Sequence, residues 1–115
     1  MELQTRQAAK MSDEQIVELY WQRDEQAIKE TDIKYKSFLL SVAINIVHDM
    51  CDSEECLNDT YIGAWNAIPP ARPVALQAFL GAIMRRTAID LSERITVRNA
   101  LHRNLRYPFP SLKIS

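Results

Sequence analysis

The sequence predicts an all-α fold, a compact domain of three to four helices, on three observations. The 115 residues include only two Gly and no Asn-Gly or Asp-Gly step, so hairpin signals are scarce. Apolar residues recur at three- and four-residue spacing along most of the chain, the period of an amphipathic helix. A hydrophobic content of 47% supports a packed core. A chain of this length forms one domain and buries roughly two-thirds of its unfolded surface.

The elements follow in order. Residues 1–11 have no clear apolar face and read as a frayed leader before a domain over 12–104. Ser12 to Gln15, "SDEQ", is a capping box opening a helix with Ile16, Leu19 and Tyr20 on one side. A second helix starts at Asp24 and carries apolar residues from Ala27 to Val47. It ends near Asp49, with a break allowed within Lys29–Lys34, "KETDIK". "DSEE", Asp52 to Glu55, reads as a second capping box and opens the third helix, with Leu57, Tyr61, Ala64, Trp65 and Ile68 forming its stripe. Pro69 and Pro70 end that helix, since proline lacks the donor and clashes with the preceding turn. Pro73 suits the first position of a fourth helix with Leu76, Phe79, Leu80, Ile83, Ala88 and Leu91 on its apolar side, running to about Ala100. Residues 105–115 lack periodicity and read as an irregular tail. Phe38, Trp65 and Phe79 fall on apolar stripes and are expected in the core, whereas Trp21 is expected partly exposed.

A net charge of −1 conceals a marked asymmetry. Residues 1–60 carry six Lys/Arg and thirteen Asp/Glu, a balance of −7, while residues 61–115 carry eight and two, a balance of +6. One acidic and one basic face imply two different partners. The two cysteines, Cys51 and Cys56, do not make a disulfide framework and read as reduced thiols. Without a secretory segment or an apolar run near the ~20 residues that span a bilayer, the expected place is the cytoplasm and no membrane partner is expected.

The stretch "DSEECLNDTYIGAWNAIPP", Asp52 to Pro70, decides between classes of function. Glu55 and Asp59 share a helical face, and paired carboxylates serve acid–base chemistry or metal binding. A carboxylate-bridged metal site in a bundle needs Glu-x-x-His motifs on facing helices, which are absent here. His48, Cys51 and Cys56 supply three candidate ligands and no fourth. No phosphate loop and no nucleophile–base constellation is suggested, so neither catalysis, cofactor nor metal is expected. The plain reading is a solvated face whose carboxylates favour the helix start, each by ~0.3–1 kcal/mol. Asn58 and Asp59, however, lie past that first turn. Glu55, Asn58, Asp59 and Ile62 form a strip pointing away from the apolar stripe, as docking to a partner helix requires.

This stretch resembles region two of bacterial RNA polymerase sigma factors of the extracytoplasmic-function type. In that family an acidic pattern, AED-x-x-Q-E-T-F-x-x-x-W, binds the clamp helices of the polymerase β′ subunit. Ser53, Glu54, Glu55, Asn58, Asp59, Thr60, Tyr61 and Trp65 take those places, with Asn58 for Gln and Glu55 for Asp. The resemblance runs over roughly residues 12–104, and "LQAFLGAIMRRTAIDLSER" is similar to the family helix that meets the minus-ten promoter element. It implies a polymerase-binding set of Asp52, Glu54, Glu55, Asn58, Asp59 and Ile62. It also implies promoter contacts, as single-stranded DNA, from Asn66, Arg72, Arg85, Arg86, Arg94 and Arg98. An anti-sigma protein is a further partner it implies, and weak self-association is compatible with exposed apolar surface.

Physics supports the basic half independently. The five arginines offer up to five phosphate contacts, each adding ~0.7 to the log–log salt slope for a single strand. Helix C-terminal position accounts for Arg94 and Arg98 as readily, but not for mid-helix Arg85 and Arg86. The stiff loop from Asn66 to Pro73 suits a preformed pocket for an unstacked base, and equally a plain helix–helix corner. Two departures stand out. Arg86 occupies the place of the family Asn, and no helix-turn-helix pattern of region four follows Ala100. The alternative reading is therefore a helical interaction module, a sigma-like regulator without promoter binding.

Overall fold

The computed structural model describes residues 10–106, and these contain four helices and no strand. They are α1 (Asp13–Trp21), α2 (Gln26–Val47), α3 (Met50–Ala67) and α4 (Leu76–Arg106). Helices α2, α3 and α4 pack against one another, and α1 lies on α2. The all-α expectation is met. The expected leader lies almost wholly outside the described residues, as does the tail after Arg106.

The first helix begins as its sequence requires. Ser12 Oγ accepts from the Gln15 amide at 3.2 Å and Gln15 returns an acceptor to the Ser12 amide at 3.1 Å. Helix α2 is continuous through "KETDIK", because Thr31 and Tyr35 are buried there and hold that turn in the core. It stops at Val47, two residues before the expected end, where His48 adopts a left-handed conformation (φ 59°).

The start of α3 corrects the sequence reading. Its cap is Asp49, whose side chain accepts from the Asp52 amide at 2.8 Å, while Ser53 Oγ donates to the Asp49 carbonyl at 2.7 Å. The turn at His48 reverses the chain at once, so the helix begins at Met50 rather than at "DSEE". The start of α4 also differs: Pro73 is not its first residue, and the helix begins at Leu76. The preceding loop is held to α1 instead, with Trp21 Nε1 donating to the Ala71 carbonyl at 3.1 Å and Arg72 lying over the Trp21 ring. At its far end α4 passes the expected stop near Ala100, and Leu105 and Arg106, assigned to an irregular tail, are helical.

The core gathers Ile16 and Tyr20 from α1, Leu39 from α2, Ile68 just past α3, and Leu80 and Met84 from α4, all fully buried. Cutting such a side chain back to Ala costs about 2–5 kcal/mol. Phe38, Trp65 and Phe79 are half-buried against this core rather than inside it, where Tyr20, Leu39, Leu80 and Met84 take the fully buried positions. At Gly63 α3 lies close against α4: a Cβ there would stand 3.3 Å from Ile83 Cγ2. The last buried side chain described along α4 is Leu91, and those from Glu93 to Arg103 are mostly exposed.

Candidate polymerase and nucleic-acid interface

Helix α3 divides cleanly into two faces. Ser53, Cys56, Leu57, Thr60, Tyr61 and Ala64 are buried, while Glu54, Glu55, Asn58, Asp59, Ile62 and Asn66 are exposed and Asp52 is half-buried. Both buried hydroxyls of the inner face are paired: Thr60 Oγ1 donates to the Cys56 carbonyl and Ser53 Oγ to the Asp49 carbonyl. The outer face carries Asp52, Glu54, Glu55 and Asp59, and α3 contains no Lys or Arg. Ile62, 57% exposed, is a large apolar side chain in the middle of that polar strip.

Moving the cap to Asp49 changes what these carboxylates are for. Only Asp52 falls in the first turn, so helix-end electrostatics accounts for Asp52 and not for Glu54, Glu55 or Asp59. Among the described residues the ion pairs are Lys34–Asp13 at 2.8 Å and Arg72–Glu18 at 3.4 Å. None of the outer-face carboxylates of α3 is in either.

The position of α3 is fixed at both ends. Tyr61 donates to Asp32 Oδ1 of α2 at 2.7 Å, which with burial pushes the Tyr61 phenol far above its ordinary value. At the C-terminal end Arg23 donates to the carbonyls of Trp65 and Ile68, at 2.9 and 2.7 Å, and lies 3.8 Å from the Trp65 ring centre. Sequence reasoning missed Arg23. Its signal, one basic residue between two helices, is indistinguishable from an ordinary loop position.

Of the arginines, Arg85, Arg86, Arg94 and Arg98 are exposed on α4 and in no ion pair among the described residues. Arg72 differs: it sits 4.4 Å from the Trp21 ring centre and 3.4 Å from Glu18. Beside it, Glu14, Val17, Glu18, Arg72, Pro73 and Val74 line a depression of about 420 Å³ between α1 and the loop. Val74 is 99% exposed at its edge. Burial, then Asp59, Glu55 and Asp52, push the buried Cys56 thiol up, and Arg94 opposes them. Among the described residues, His48, Cys51 and Cys56 form no metal-holding group, nor do any other three His, Cys, Asp or Glu side chains. No described helix is long and apolar enough to cross a membrane.

This arrangement, an acidic outer face on one helix and free arginines on the next, coincides with a family match. The model for sigma-70 region 2 matches residues 33–98, more than half of the chain. The chain belongs to the sigma-70 region 2 family. This is a non-enzymatic family of transcription-initiation domains that act with RNA polymerase and meet the minus-ten promoter element. The match begins within α2 and ends within α4, so α1 lies outside it. No curated protein and no solved structure matches the chain.

Proposed function

We propose that this chain is the polymerase- and promoter-binding domain of an extracytoplasmic-function sigma factor acting in the cytoplasm. Its outer α3 face docks on the β′ clamp helices, and the loop before α4 together with α4 contacts single-stranded minus-ten DNA. The observation that carries this reading is the outer face of α3: Glu55, Asn58, Asp59 and Ile62 are all exposed, past the reach of helix capping. In this proposal Asp52 and Glu54 flank the contact, and Ile62 supplies the apolar centre that desolvates it.

On the DNA side Arg85, Arg86, Arg94 and Arg98 supply phosphate attraction, with Asn66 and Arg72 at the loop. Arg72 is the most constrained, being stacked on Trp21, so it offers a fixed cation rather than a searching one. Stacking of this kind leaves the depression beside Val74 with a firm wall for an unstacked base.

A second reading, an interaction module without promoter binding, is favoured by Arg86 at the position of the family Asn. One experiment separates the two. Core polymerase loaded with this chain is titrated with a single-stranded minus-ten oligonucleotide across a salt series. Under the first reading, replacing Arg85 and Arg86 by Ala weakens binding and lowers the salt slope by about 1.4, two phosphates at ~0.7 each. An unchanged slope, with polymerase binding intact, favours the interaction module.

A further inference from the structure

We infer that the turn between α1 and α2 is a brace for the loop before α4, with Trp21 and Arg23 as positioning residues that fix this loop in the shape promoter DNA meets. The inference rests on the role proposed above for that loop, and it adds the part of the chain that sets the loop's shape.

The loop is poorly equipped to hold itself. Residues 68–75 include Pro69, Pro70 and Pro73, which carry no backbone N–H, so the loop is short of donors for its own carbonyls. Donors come from across the fold instead. Trp21 Nε1 donates to the Ala71 carbonyl at 3.1 Å, and Arg23 donates to the Ile68 carbonyl at 2.7 Å and the Trp65 carbonyl at 2.9 Å. These bonds fasten the loop where it leaves α3 and again three residues later.

Two Trp–Arg pairs of opposite sense complete the brace. Arg72 of the loop lies 4.4 Å from the ring centre of Trp21 on α1, and Arg23 of the turn lies 3.8 Å from the ring centre of Trp65 on α3. Both tryptophans of the chain are used in this way. Glu18, one turn before Trp21, adds a contact to Arg72 at 3.4 Å. Each exposed contact is weak alone, but together they restrict one short loop. A loop already held in its bound shape avoids the cost of ordering when a ligand arrives, so affinity for DNA depends on Trp21 and Arg23 through the loop.

Two measurements on wild type, Trp21→Phe and Trp21→Leu test this. Phe removes the donor and keeps a ring beside Arg72, whereas Leu removes both. In the free chain, hydrogen exchange at the Ala71 amide, which donates to the Ala67 carbonyl at 2.9 Å, is expected to quicken from wild type to Phe to Leu. With each protein loaded on core polymerase, affinity for a single-stranded minus-ten oligonucleotide is expected to fall about threefold for Phe and about tenfold for Leu. Binding to an isolated β′ clamp-helix fragment is expected to stay at the wild-type level, which a general loss of structure would not allow. Trp21 is 36% exposed, and if Trp21→Leu loses helical content by circular dichroism, Trp21→Phe decides alone. Unchanged exchange at Ala71 overturns the brace. Quickened exchange with wild-type oligonucleotide affinity overturns the positioning role. A wild-type chain that loads on polymerase and ignores the oligonucleotide overturns the functional proposal, and this inference with it, so the failures are told apart.

Discussion

The guanidinium of Arg23 lies 3.8 Å from the centre of the Trp65 ring and donates to the Trp65 and Ile68 carbonyls, joining the α1–α2 turn to the end of α3. The last carbonyls of a helix lack partners within it, and Arg23 satisfies one at the last turn of α3 and one at its cap. The same residue has φ 56°, a left-handed backbone that a non-glycine residue adopts only where its surroundings compensate.

Replacing Arg23 by Ala is expected to destabilise the chain by about 2–3 kcal/mol, from lost charge-assisted hydrogen bonds and ring stacking. Arg23→Gly, which relieves the left-handed backbone, should recover about 1 kcal/mol of that loss. Urea denaturation of the three proteins measures both steps. Equal stability of the Ala variant and wild type would show that the contact contributes nothing.

Tyr20 and Thr31 form a buried pair between α1 and α2. Thr31 Oγ1 donates to the Ala27 carbonyl at 2.8 Å, so the Tyr20 hydroxyl donates to Thr31 Oγ1, also at 2.8 Å. Thr31→Val leaves the Tyr20 hydroxyl buried without an acceptor, at a cost of about 1–3 kcal/mol. Adding Tyr20→Phe is expected to return part of that loss, because no polar atom is then stranded. A double-mutant cycle on unfolding free energies gives the coupling, and strict additivity would contradict the pairing.

Asp13 makes stability depend on pH in the acid range. Burial alone would raise its carboxyl, but hydrogen bonds from Lys34 at 2.8 Å and Tyr35 at 2.6 Å, with the Lys34 charge, hold it below its ordinary 3.8. A depressed carboxyl stabilises the fold fully above its unfolded value, and that stabilisation is lost as pH falls through the folded value. Asp13→Asn should therefore be less stable than wild type at neutral pH, by about 1–2 kcal/mol, with a flatter acid limb. Tyr61 acts in the opposite sense: burial, then Asp32, raise its phenol, so its contribution is complete below 10.0 and is lost as pH rises beyond that. Thermal melts across pH measure both limbs. An acid limb unchanged in the Asp13 variant would rule out this role.

The helices and the exposed strip of α3 were legible because they depend on periodicity alone. Glu55, Asn58, Asp59 and Ile62 lie opposite a stripe from Leu57 to Ile68, and helical spacing dictates that separation wherever the helix starts. The starts were less legible. Asp49 and the "DSEE" segment both offer capping side chains, and the left-handed turn at His48, which decides between them, leaves no mark in composition. The same holds for the loop before α4, where Trp21 and Arg72 meet across about fifty residues of chain. Long-range contacts of this kind also explain why Arg23 passed unnoticed and why Trp65 is half-buried beneath it.

Calorimetric titration of an isolated β′ clamp-helix fragment with this chain tests the central claim most directly, alongside the variant Glu55→Ala/Asn58→Ala/Asp59→Ala. The account predicts saturable binding by the wild-type chain and at least about tenfold weaker binding by the variant, a loss of about 1.4 kcal/mol, with helical content unchanged. Equal binding by both proteins, or none by the wild-type chain, would contradict it and return the outer face of α3 to a solvated surface.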